Sequence, residues 1–328
     1  MSILADVLSA TVLFAVPLLL VALGGMFSER SGIINIALEG IMIVGALCST
    51  LYLRAADLSG FGPANPQGAM AVAILIAGGS GVLYSLLLAF ASVNLKADQT
   101  IGGTALNMLA PAFAITLTWA IQGQGQTNIL IPTWTRITQE TFGIAAQDTF
   151  FQVFLFKSMF LTTPVAIVLF AVAVVLLYRT KFGLRLRACG EHPQAADSVG
   201  INVYRMRYAG VMISGFLGGI GGLAYTLAAG SAFQSAVAGY GFLALAVMIF
   251  GNWKPWNILG ASLFFALFKI LGSYSSSIPF LPKFESIKAS EYIYLMLPYI
   301  VTMILLILTS KRSRAPKAEG IPYDKGQR

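Results

Sequence analysis

An all-α, polytopic bundle of about nine membrane-spanning helices is the fold class this sequence predicts, and three observations carry it. Hydrophobic residues make up 57% of the 328 and charged residues only 10%, where a soluble domain carries roughly 25% charge. Mean hydropathy is +0.79. Apolar runs long enough to cross a hydrocarbon core of about 30 Å recur along the whole chain. The runs are continuous rather than alternating, which excludes a β-barrel.

The spans read, in order, as 7–27, 34–53, 68–93, 99–121, 153–178, 207–229, 238–252, 256–274 and 291–310. A count of eight or ten stays open, because 34–53 and 238–252 are candidates for broken or re-entrant segments. No basic residue precedes the first span, so it reads as a membrane helix and not as a cleavable leader. In the second span Asn35 and Glu39 stand one helical turn apart in otherwise apolar sequence. A central acidic residue there costs about 2.5–3.5 kcal/mol on insertion, and such a pair is expected to face the bundle interior or a water-filled path. Asp98 is expected to cap the fourth span. Within that span Gly103, Thr104 and Asn107 make a polar patch, for which interhelical hydrogen bonding and substrate contact are both open. The polar stretch 122–152 reads as an external loop. Lys157 and Lys269 fall near the outer ends of their spans and are expected to snorkel to the interface. In the sixth span Gly215/Gly219 and Gly218/Gly222 are two overlapping small-xxx-small pairs, which predicts close packing of helix backbones.

The net charge of +8 sits in few places: six Lys/Arg between Arg179 and Arg207, and six more between Lys311 and Arg328. These are loop and tail positions, so the positive-inside rule accounts for them and a nucleic-acid role is excluded. The bias places the 179–206 segment and the basic tail 311–328 in the cytoplasm, the N-terminus outside, and leaves 1–310 as the membrane domain. Within 179–206, Pro193 suits the first position of a helix and Gly200 the residue just past its end. Ala195, Ala196 and Val199 then form a small apolar face, approached through Gly190, Glu191 and His192. A short helix along the membrane surface, offering that face to a cytoplasmic partner, is the expectation. Cys48 and Cys189 have no metal or redox spacing, and the lone His192 cannot build a metal site. Neither metal nor cofactor is therefore expected in the chain. The sequence has no G-x-x-x-x-G-K-[ST] phosphate loop, no G-x-S-x-G elbow and no H-E-x-x-H pair. An enzyme is not expected, and energy must come from an ion gradient or from a separate ATPase.

Four motifs taken together carry a family resemblance. They are the run from Phe27 to Gly40, the run from Gly103 to Asn107, Gly190-Glu191-His192-Pro193 with Gly200-Ile201, and the run from Gly241 to Val247 with Gly251-Asn252. The chain resembles permease subunits of ABC importers of the branched-chain amino acid and simple-sugar superfamily, in its nucleoside-type branch. That resemblance implies a multi-pass protein of the bacterial cytoplasmic (inner) membrane, paired with a second permease, more often a different one than a copy of itself. It also implies cytoplasmic ATPase subunits that bind ATP and Mg, and an extracytoplasmic binding lipoprotein. By the same resemblance the 181–201 segment couples to the ATPase, while Asn35, Glu39, Thr104 and Asn107 line or support the translocation path. Nucleosides are the implied substrate. Sugars or riboflavin-like heterocycles are the alternative within the family, and a secondary carrier in which Glu39 takes up a proton is the alternative outside it.

Overall fold

A computed structural model describes residues 2–138, 159–230, 232–274 and 315–326, together with 152, 296–297, 300 and 303–304. The expected span 291–310 falls almost wholly outside these residues, as does Lys157. The helices are α1 (Ser2–Arg30), α2 (Leu38–Leu58), the short α3 (Phe61–Ala64), α4 (Pro66–Val93), α5 (Gln99–Gln122) and α6 (Thr162–Arg179). There follow α7 (Lys181–Glu191), α8 (Pro193–Ser198), α9 (Val203–Ala229), α10 (Tyr240–Phe250) and α11 (Pro255–Tyr274). Two strands of two residues each, β1 (Ile129–Leu130) and β2 (Ala232–Phe233), pair antiparallel.

Seven of these helices (α1, α2, α4, α5, α6, α9 and α11) are long and apolar enough to cross a membrane. The 238–252 segment takes the shorter, broken form that its sequence left open. Its helix α10 has 11 residues, a length of about 16 Å, which is roughly half a hydrocarbon core. Among the described residues the count is therefore seven full spans and one half-span.

Local chemistry sets the ends of several helices. Asn65 accepts from the Gly68 amide (3.2 Å) at the start of α4, with Pro66 in the first position. Asp98 caps α5 by accepting from the Thr100 and Ile101 amides at 2.8 and 2.9 Å, as its position before an apolar run predicts. Burial then ranks the helices. The most apolar stretch of α9 is 78% buried and that of α1 72%, against 17% for α5, so α9 and α1 form the centre and α5 the rim.

The glycines of α9 explain how two other helices reach it. A Cβ on Gly219 would overlap the Ala77 carbonyl oxygen, and one on Gly215 would lie 2.6 Å from the Gly81 carbonyl oxygen, so both face α4. A Cβ on Gly222 would overlap the Met42 carbonyl oxygen, and one on Gly218 would lie 2.9 Å from Ile41 Cγ2, so both face α2. The two small-xxx-small pairs thus serve two partner helices at once.

The bundle has one basic end. Arg30, the turn holding Lys96, α7, α8, the first residues of α9 and the tail segment 315–326 meet there. At the opposite end Trp134 Nε1 donates to Asp57 (2.7 Å), beside the β-pair.

Candidate functional site

Two irregular segments meet inside the bundle, and Glu39 joins them. The first runs between α1 and α2. Gly32 takes φ +96° just past α1, a left-handed position that ends the helix. The Ser28 hydroxyl donates to the Ile33 carbonyl (2.8 Å) and the Ser31 hydroxyl to the Ser28 carbonyl (2.6 Å), which hold the turn. Helix α2 begins only at Leu38. Asn35 and Glu39 are therefore not one turn apart on a helix: Asn35 lies in the irregular stretch and Glu39 in the first turn of α2.

Irregular backbone is tolerated in a membrane only where protein groups satisfy it, and α5 and α9 supply them. Gln99 Oε1 accepts from the Ile34 amide (2.7 Å). Asn107 bridges the break, its Nδ2 donating to the Ile36 carbonyl and its Oδ1 accepting from the Gly40 amide, both at 2.8 Å. Asn35 Nδ2 donates to Ser214 Oγ (2.8 Å), and its buried Oδ1 has no partner among the described residues. Thr104 stands apart from this network. Its hydroxyl donates back to the Thr100 and Ile101 carbonyls of its own helix, both at 2.9 Å, and the side chain is exposed. The expected patch of Gly103, Thr104 and Asn107 therefore divides: Asn107 supports the break and Thr104 does not.

The second irregular segment precedes α10. Gly239 takes φ +76° at the position before the helix, which has no local side-chain cap. The carboxylate comes from elsewhere. Glu39 Oε1 accepts from the Gly239 amide (2.8 Å) and Oε2 from the Gly241 amide (2.6 Å). A helix start presents unpaired N–H groups and the positive end of its dipole, so a carboxylate is the matching ligand. Gly241 is needed for the approach, since a Cβ there would meet the backbone of Glu39 (Cα at 2.5 Å). The acidic side chain that looked like a candidate proton site is thus the N-terminal cap of α10, 202 residues along the chain from Gly241.

The basic end carries the second set of expected residues. The 179–206 segment holds two helices, α7 and α8, where the sequence suggested one. Thr180 caps α7 by accepting from the Gly183 amide (3.1 Å). Pro193 occupies the first position of α8 and Gly200 takes φ +83° beyond it. Val199 is 74% exposed, and Ala195 and His192 are exposed beside it. Ala196 does not share that face; it is buried against Cys189, Val203 and Tyr323. The outward face is therefore Ala195 and Val199, with Ala196 turned inward as its anchor. Gly190 allows close seating: a Cβ there would overlap the Arg30 carbonyl oxygen. Glu191 lies 3.9 Å from Arg30 in an ion pair.

Sequence reasoning missed what clamps this end. Trp253 Nε1 donates to Glu29 Oε2 (2.5 Å), and Arg30 Nη2 donates to the Trp253 carbonyl (3.1 Å). The tail is not a free basic extension. Ala318 donates its amide to the Gly190 carbonyl (2.8 Å), Lys96 pairs with Asp324 (2.7 Å), Lys325 pairs with Asp197 (3.8 Å), and Tyr323 packs against Tyr204 at 5.4 Å. The Lys96 hydrogen bond holds the Asp324 carboxyl below the usual aspartate value. Burial pushes the Glu319 carboxyl up and the Cys189 thiol up to about 11, so Cys189 stays a protonated core residue. Among the described residues no three His, Cys, Asp or Glu side chains cluster to hold a metal.

Comparison with known proteins bears on what such a bundle does. The family model "Branched-chain amino acid transport system / permease component" matches residues 7–309. The chain is 41% identical to the guanosine ABC transporter permease protein NupQ of Bacillus subtilis, over 99% of this chain and 98% of that one. It is 41% identical to the nucleoside ABC transporter permease protein NupC of Lactococcus lactis, over 96% and 95%. It is 32% identical to the putative glucose ABC transporter permease protein TsgC13 of Haloferax volcanii, over 85% and 80%. No solved structure matches the chain. With a family model covering nearly the whole length, and relatives aligned end to end, this multi-pass helical protein belongs to the branched-chain amino acid transport system / permease component family.

Proposed function

We propose that the chain is the membrane permease of an ABC importer that carries nucleosides into the cytoplasm across the inner membrane. The observation that carries this reading is the 41% identity to a guanosine and a nucleoside permease over nearly the full length of both. The geometry supports it. Helix α8 presents Ala195 and Val199 outward at the basic end, and its inner side is tied to α7, α9 and the tail. A short helix so seated can take a push from a cytoplasmic ATPase and pass it through α7, whose Gly190 and Glu191 meet Arg30, to the end of α1. That ATPase would bind ATP and Mg and hydrolyse the nucleotide. A second permease, a different chain rather than a copy, would stand beside this one, and an external lipoprotein would deliver the substrate.

The proton-carrier reading loses its acid, because both Glu39 oxygens are engaged by the α10 amides. The sugar reading rests on more distant relatives at 32% identity or less.

The test is a mild-detergent purification of the tagged chain from its native membrane, followed by reconstitution of whatever co-purifies. An ATPase, a second permease and a lipoprotein, together supporting ATP-dependent uptake of labelled guanosine, are the expected result. Recovery of the chain alone, with uptake driven by a proton gradient, would overturn the reading.

A further inference from the structure

Lys269 does not snorkel. Its Nζ lies 4.1 Å from the ring centre of Tyr240, 4.6 Å from that of Phe14 and 5.6 Å from that of Tyr225. The ring faces answer its charge, so this lysine ties α11 to α1, α9 and α10. A groove on the other side of α9 has no part in that packing.

Helices α6 and α9 leave a space of about 350 Å³ between them, floored by the fully buried Phe27 of α1. Val172 and Leu176 wall it on one side, Met212 and Phe216 on the other, and Leu169 stands at its deep end. Every residue that lines it is apolar. Val172 is 53% exposed and Met212 38%, so the groove opens on the surface of the bundle. A polar solute would find no hydrogen-bond partner there, and an apolar space stays dry. Its occupant is therefore a hydrocarbon.

The length is that of one leaflet. Leu169 stands ten residues before Arg179 and Phe216 eleven after Arg205, so the groove reaches about 15 Å from the basic end. That is half of a hydrocarbon core of about 30 Å. The volume is that of a chain and not of a helix. A helix with its side chains is about 10–12 Å across, so three turns of one displace on the order of 1,000 Å³.

The basic end supplies the complementary charge. Arg179 stands three and seven residues beyond Leu176 and Val172, and Arg205 seven and eleven before Met212 and Phe216. These are the spacings of one helix face. Both arginines are exposed, and among the described residues neither guanidinium has an ion-pair or hydrogen-bond partner. The guanidinium fork matches a phosphate, and basic sites between membrane helices take anionic headgroups.

We infer that this groove is a site for an anionic phospholipid, with one acyl chain lying between α6 and α9 and the phosphate held by Arg179 and Arg205. The inference does not depend on which solute is carried. Arg179 ends α6 and Arg205 lies in the first turn of α9. The phosphate thus joins the two ends of the segment that carries α7 and α8, and the lipid braces the mounting of α8.

The test is native mass spectrometry of the full-length chain, purified in mild detergent with whatever partners accompany it. The delipidated protein is offered phosphatidylglycerol and phosphatidylcholine with identical acyl chains. Retention of phosphatidylglycerol is expected to exceed that of phosphatidylcholine about tenfold. Arg179→Gln/Arg205→Gln, which changes only exposed side chains, should abolish that preference, whereas the control Lys254→Gln/Lys317→Gln should keep it. Val172→Trp, which fills the groove from an exposed position, should lower phosphatidylglycerol retention about tenfold. A photoreactive side chain in place of Met212 should capture lipid. Equal retention of the two lipids by the parent overturns the site, as does a preference kept by the arginine variant or lost equally in the lysine control. Capture of a second permease at position 212 overturns it too, because the groove would then be a subunit interface.

Discussion

Replacing Glu39 with Ala removes the side chain that caps α10, and the structure sets the size of the loss. Two backbone amides, at 2.8 and 2.6 Å from the carboxylate, would be left unpaired in a site where Glu39 itself is only 9% exposed. A hydrogen bond to a charged group contributes about 1.5–3 kcal/mol, so the pair accounts for about 3–6 kcal/mol. Glu39→Gln keeps one acceptor oxygen for one amide and turns an NH₂ group towards the other, so about half of that is lost. On the soluble-domain scale of about 2 °C per kcal/mol, the melting temperature in detergent falls by about 6–12 °C for Ala and by roughly half as much for Gln. A second readout separates capping from proton chemistry: ATP-driven uptake by the Gln variant should remain indifferent to a collapsed proton gradient. A Glu39→Ala protein that melts within a degree of the parent would refute the capping argument. Loss of gradient-driven uptake in Gln alone would restore the carrier reading.

Three further outcomes are expected. Val199→Asp places a charge on the outward face of α8, which is 74% exposed, so uptake should fall at least tenfold with insertion and melting unchanged; full uptake with the ATPase still bound would count against docking there. Gly219→Leu drives a side chain into the Ala77 carbonyl and the Gly81 backbone, and overpacking of this kind costs about 1–3 kcal/mol or more, so its detergent melting curve should shift down by several degrees. Burial raises the Glu319 carboxyl above its ordinary value, so the seated tail binds a proton more tightly than a free one. The Glu319 share of its hold is full below the ordinary glutamate value of about 4.3 and is lost as pH rises through the raised value. The Lys96–Asp324 pair, by contrast, weakens only at lower pH, as its lowered carboxyl is protonated. Above the pH range in which Asp324 titrates, protease access to the tail, normalised to a peptide standard, should therefore rise with pH in the parent and rise less in Glu319→Gln; parallel curves would show that Glu319 does not set the seat.

Features that depend on near neighbours in sequence were legible. Span existence follows from composition, Asp98 from its place before an apolar run, and the ends of α8 from Pro193 and Gly200. The start of α2 was not legible, because Asn35 and Glu39 at a four-residue spacing fit a helix as well as they fit a break. What decides is Gly32 in a left-handed turn, and acceptors and donors supplied by Gln99, Asn107 and Ser214 from other helices. Glu39 lies inside the bundle as its setting predicts, but its partners, Gly239 and Gly241, are brought to it only by the fold. Lys269 misled because distance from a span end says nothing about which rings surround it. The tail misled because its charge count reports solvation, whereas Ala318, Glu319 and Tyr323 carry the packing. The close-approach glycines were visible as a pattern, but not that their two faces serve two different helices.

The strap formed by residues 318–325 also bears on how the protein is made. A ribosome delivers α8 long before it delivers the tail that fastens it, so a nascent chain can insert every described membrane helix while α8 is still held by its own inner side alone. The basic face reaches its final form only when Asp324 finds Lys96 and Lys325 finds Asp197. A chain clipped or stalled before that point would span the membrane yet present a loosely held α8. Under the function proposed above, ATPase docking at this face would then act as an inspection step, admitting those copies whose synthesis has reached the strap.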